Sequence, residues 1–95
     1  MEAKYIVITR QRKKVPLEMI TKALLRNTER IKPDKTYPEE PSRAIGYHSD
    51  KRKTQIEFYE ELENVELTIE GDETDVLETK KDLLRLLGGK DFNLE

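Results

Sequence analysis

Apolar and polar residues alternate along three short stretches of this chain; apolar residues run together in a fourth near the start and recur at helical spacing along two others. Tyr5, Ile6, Val7 and Ile8 are β-branched or aromatic on both faces, which predicts a first strand over 4–9. Ile45 and Tyr47 alternate with Ala44, Gly46 and His48 (strand 44–48), and Ile56 and Phe58 with Gln55, Glu57 and Tyr59 (strand 55–60). Val65, Leu67 and Ile69 alternate with Glu66, Thr68 and Glu70, giving a strand over 64–70. If Glu61 pairs with Asn64 across a tight turn at Leu62-Glu63, Phe58 meets Leu67, Ile56 meets Ile69 and Glu57 meets Thr68.

The helical stretches carry their own start and stop signals. Leu17, Ile20, Leu24 and Ile31 share one face of a helix over 16–31, opened by Pro16 and ended by Pro33. Residues 33–43 form a proline-rich loop. A second helix over 73–88 opens on Asp72, Glu73 and Asp75, presents Val76, Leu83 and Leu87, and stops at Gly88-Gly89. Residues 89–95 are expected to be a tail, with Leu94-Glu95 a terminal appendage without a role.

These elements predict an α+β two-layer sandwich of order β-α-β-β-β-α, with a mixed sheet and both helices on one face. A strand-helix-strand unit within one sheet makes the strands at 4–9 and 44–48 parallel, and successive hairpins push the first strand to an edge. An apolar edge invites pairing with a second copy, so a homodimer through Tyr5, Ile6, Val7 and Ile8 is expected. The expected core is Leu17, Ile20, Leu24, Val65, Leu67, Ile69, Leu83 and Leu87, with Gly46 and Gly71 at turns or strand ends.

Composition narrows the class. Ninety-five residues fit a single domain, and the absence of cysteine removes disulfides, thiol nucleophiles and thiolate metal ligands. The apolar run near the N-terminus is too short for a membrane span, so a cytoplasmic protein with no membrane contact is expected. Charged residues reach 40% and Glu and Lys dominate, a balance found in proteins from hot environments.

The charge is unevenly spread: residues 1–54 carry 14 basic and 7 acidic side chains, residues 55–95 carry 4 and 13. Clustered Lys and Arg gain affinity for phosphate by releasing condensed counterions. With the first two strands parallel, Arg10, Arg12, Lys13 and Lys14 would meet Lys51, Arg52 and Lys53 at one end of the sheet. The expected function is therefore a small non-enzymatic binding module contacting an anionic partner, foremost nucleic acid, through these basic loops, by phosphate rather than base contacts. The alternative is a protein-interaction or regulatory module, including a virus-type inhibitor, acting through an edge strand or the acidic sheet face.

The order helix, three strands, helix is similar to the topology of double-stranded RNA-binding domains. Such domains place basic residues at the start of the last helix, where this chain has Asp72, Glu73 and Asp75. His48, Ser49 and Asp50 have the residue types of a hydrolase triad, but neighbouring positions of an extended segment point to opposite sides. No glycine-rich phosphate loop occurs, a lone histidine leaves only carboxylates for a metal, and no cofactor is expected. Pro38 to Arg43 matches P-x-x-P-x-R, read as a proline-stiffened loop.

Overall fold

The computed structural model describes residues 1–25, 32–33, 44–49, 52–88 and 92–95. The elements are β1 (Glu2–Thr9), α1 (Leu17–Leu25), β2 (Lys32–Pro33), β3 (Ala44–Ser49), β4 (Thr54–Glu60), β5 (Val65–Glu70), α2 (Glu73–Gly88) and β6 (Phe92–Leu94). The strands form one six-stranded sheet in the order β2-β3-β4-β5-β1-β6. Its described pairings are all antiparallel, so the fold is α+β but the expected mixed sheet is not found.

The β4–β5 hairpin has the expected register. Ile56 faces Ile69, Glu57 faces Thr68 and Phe58 faces Leu67, and the Glu61 amide donates to the Asn64 carbonyl at 2.8 Å. A one-residue slip of β5 against β4 would turn Val65, Leu67 and Ile69 to water, and burying these side chains stabilises the native register by about 1.5–3 kcal/mol each.

The place of β1 differs from expectation. It lies inside the sheet, paired to β5 from Glu2 to Val7 and to β6 from Val7 to Thr9. The tail is thus partly a strand: Phe92 and Leu94 are buried, and Glu95 exchanges two backbone hydrogen bonds with Ile6, at 2.8 and 3.0 Å. The apolar second edge of β1 is met by the chain's own last residues, and the edge on which the homodimer expectation rested does not exist over Ile6–Thr9.

Nor are the strands at 4–9 and 44–48 parallel. Following the pairings from β1 through β5 and β4 to β3 reverses direction three times, so β1 and β3 run in opposite directions. The cause is β2, which pairs with β3 through Lys32–His48 and Pro33–Tyr47. This two-residue strand runs parallel to β1, as expected for the first strand after a helix, and the antiparallel return reverses β3. Pro33 is tolerated because β2 is an edge strand.

Register sends Tyr5, Val7, Tyr47, Ile56, Phe58, Val65, Leu67, Ile69, Phe92 and Leu94 to one face. Apart from Tyr5, which is half-buried, these side chains are buried. They join Val15, Leu17, Ile20, Leu24, Val76, Leu83 and Leu87 in one core. All eight expected core residues are buried. Helix α2 packs on β4, β5 and β6, and α1 on β4 and α2. Helix α1 begins one residue after Pro16, whose carbonyl accepts from the Met19 and Ile20 amides. The expected extension to residue 31 and the loop at 34–43 lie outside the described residues. Gly71 follows β5, where a Cβ would press Thr54 Cγ2 at 3.0 Å; Gly46, expected at a turn or strand end, sits instead within β3.

Candidate interaction surfaces

The antiparallel relation of β1 and β3 separates the two basic segments. Arg10 to Lys14 follow the C-terminal end of β1, whereas Arg52 and Lys53 follow that of β3, so they lie at opposite ends of the sheet. The composite anion site expected from parallel strands is therefore not formed. Lys51 lies outside the described residues.

Each basic segment instead meets acidic partners at its own end. Residues Thr9 to Lys13 close a three-residue hairpin loop: the Arg12 amide donates to the Thr9 carbonyl at 2.9 Å and the Thr9 amide to the Lys13 carbonyl at 3.0 Å. Arg12 takes a left-handed conformation, φ 59°, as such loops require at their third position. Its guanidinium is bidentate to the Glu95 carboxylate, at 2.9 and 3.1 Å. Lys14 lies 3.8 Å from Glu60 and donates to the Leu62 carbonyl at 3.4 Å. Glu60 also accepts from the Leu17 amide at 3.2 Å, capping α1 where unpaired amides favour an anion. Arg10 and Lys13 are exposed.

At the other end, Arg52 Nε donates to Asp82 at 3.0 Å, and Arg85 approaches the same carboxylate at 4.0 Å. The Arg52 and Asp82 side chains are only 23% and 11% exposed, so this pair pins the β3–β4 turn to α2. Beside it, the Thr54 and Thr79 hydroxyls share a buried hydrogen bond of 3.0 Å. Lys53, at φ 50°, is exposed in the turn, whose backbone lies against Gly71 just before the acidic start of α2.

Charge remains unbalanced on the sheet face opposite the core. Across β4, β5 and β1, three rows lie side by side: Gln55, Glu70 and Glu2; then Glu57, Thr68 and Lys4; then Tyr59, Glu66 and Ile6. Glu2, Lys4, Ile6, Gln55 and Glu70 are exposed, and Glu57, Tyr59, Glu66 and Thr68 half-buried. Lys4 sits 3.6 Å from Glu2. Among the described residues Glu57, Glu66 and Glu70 have no ion-pair partner.

His48 and Ser49 point to opposite faces of β3, Ser49 buried and His48 half-buried, and Asp50 lies outside the described residues. Among the described residues no group of His, Asp or Glu is arranged to hold a metal, and no helix is long and apolar enough to cross a membrane. One phenol is perturbed: burial against Phe58, edge to face at 6.0 Å, raises the Tyr47 pKa, and a hydrogen bond to Thr21 partly offsets this. Sequence reasoning singled out neither Glu60 nor Asp82, since a carboxylate's role at a helix end or buried turn depends on contacts distant in the chain. No known protein family, curated protein or solved structure matches this chain.

Proposed function

We propose that this protein is a non-enzymatic binding module that seats both helices on one face of its sheet and offers the other face to a basic protein partner. The carrying observation is the row Tyr59, Glu66 and Ile6. Apolar surface lies at its ends, Ile6 being 38% exposed, Glu66 stands at its centre, and Glu57 and Glu70 follow in the next two rows; none of these three carboxylates has an ion-pair partner among the described residues. Interfaces of this kind combine an aromatic or aliphatic centre with polar groups, and a surplus of one charge steers an oppositely charged partner. The basic loops support nucleic-acid contact less well, because Arg12, Lys14 and Arg52 already face carboxylates.

Backbone chemical shifts recorded during separate titrations with hexalysine and with a duplex RNA dodecamer at low salt discriminate these partners. The expected result is that hexalysine moves the amides of β4, β5 and β1 around Glu57, Glu66 and Glu70, with the response fading as salt rises. RNA moving Arg10 to Lys14 or Arg52 and Lys53, with no response of the sheet to hexalysine, would overturn the proposal in favour of a phosphate-binding module.

A further inference from the structure

Resting on that reading, we infer that the acidic face recognises an arginine side chain of its partner, at a subsite made by Tyr59 and Glu66. Tyr59 and Glu66 stand directly opposite each other on β4 and β5, and Ile6 stands opposite Glu66 on its other side. The Ile6 backbone groups bond toward Glu95, so Ile6 and Glu66 form a non-hydrogen-bonded pair, the kind whose side chains approach most closely. The Glu66 carboxylate is therefore flanked by an aromatic ring and an aliphatic side chain, with Glu57 two residues before Tyr59 on the same strand.

The two cationic side chains would use this arrangement differently. A guanidinium is planar and weakly hydrated, so it can lie on the phenol ring and direct two parallel N–H groups to the carboxylate. An ammonium is a compact, strongly hydrated charge that can pair with Glu66 or Glu57 but gains less from the aromatic and aliphatic flanks. The chain already holds one cation on a tyrosine ring: Lys80 Nζ lies 4.4 Å from the centre of Tyr5. A second copy of this chain is a poor occupant, because stacking two such faces brings unpaired carboxylates together.

The test compares hexaarginine with hexalysine, titrated into the whole chain at equal ionic strength, with affinity and location read from the same spectra. The expected result is about two- to fivefold tighter binding of hexaarginine, the range for a cation over an exposed ring, with the largest shifts at Ile6, Tyr59 and Glu66. Tyr59→Leu should abolish that preference and leave hexalysine binding unchanged, while Tyr59→Phe should keep it. Both substitutions lie on the open face, and spectral dispersion reports that the fold is intact. Equal affinities that both fall in Glu66→Gln would overturn the arginine subsite while leaving the acidic face in place. No response of the face to either peptide would overturn the subsite together with the reading beneath it.

Discussion

At the residue scale, the polar cluster under α2 shows how context sets the worth of one hydroxyl. Thr54 and Thr79 satisfy each other in a buried hydrogen bond. Thr79→Val leaves the Thr54 hydroxyl buried without this partner and should cost about 1–3 kcal/mol. Replacing both by valine should recover most of that loss, which urea denaturation of the two single variants and the double variant would measure. Leu67→Ala, which empties the middle of β5, should cost about 2–5 kcal/mol on the same assay. Tyr47 adds a pH dependence. Burial raises its folded-state pKa above the unfolded value near 10. The unfolded chain therefore releases this proton first as pH rises. The contribution is fully present below about pH 10 and is lost between the unfolded and the folded pKa. Alkaline unfolding should start at higher pH in Tyr47→Phe, as seen by circular dichroism. These core positions were legible because their periodicity is local, whereas Val15, buried in full between Lys14 and Pro16, follows no period and was not.

At the element scale, the β4–β5 hairpin was readable down to its register because alternation and turn length act over adjacent residues. The direction of β3 relative to β1 was not, because a strand of two residues, Lys32–Pro33, comes between them, pairs antiparallel with β3 and carries almost no pattern. Strand β6 was missed for a related reason: Phe92-Asn93-Leu94 alternates as a strand should, but three residues near a chain end look like a tail. Its removal tests its structural role. Truncation after residue 91 uncovers the β1 edge from Ile6 to Thr9 and exposes the core beneath Phe92 and Leu94. The truncated chain should lose stability and self-associate, because it then has the apolar edge that the intact chain covers. Light scattering at several concentrations would show the change. A truncated chain that scatters like its parent would mean β6 is dispensable.

At the scale of the whole molecule, the fold distributes a charge asymmetry that the linear sequence exaggerates. The basic first half and acidic second half interleave, so Arg12 and Lys14 meet Glu95 and Glu60 at one end while Arg52 meets Asp82 at the other. Knowing how many charges each half carries was not enough, since which ones meet depends on strand direction. On the sheet face opposite the core, Glu57, Glu66 and Glu70 have no ion-pair partner among the described residues, and their crowding should cost stability. Glu57 lies diagonally across from both Glu66 and Glu70, so the three repel one another on a surface where glutamate is also a poor strand former. Changing all three to glutamine should therefore stabilise the fold by about 0.5–1 kcal/mol in total, a few degrees in Tm for a chain of this size. The gain should shrink as salt screens the repulsion in the parent. The same variant should lose its response to hexalysine, as expected where a binding surface is kept at the expense of stability. Thermal melts at low and high salt, paired with the hexalysine titration, examine both halves of this expectation. A lower Tm in the glutamine variant would mean that these carboxylates stabilise the fold and would count against an interaction role.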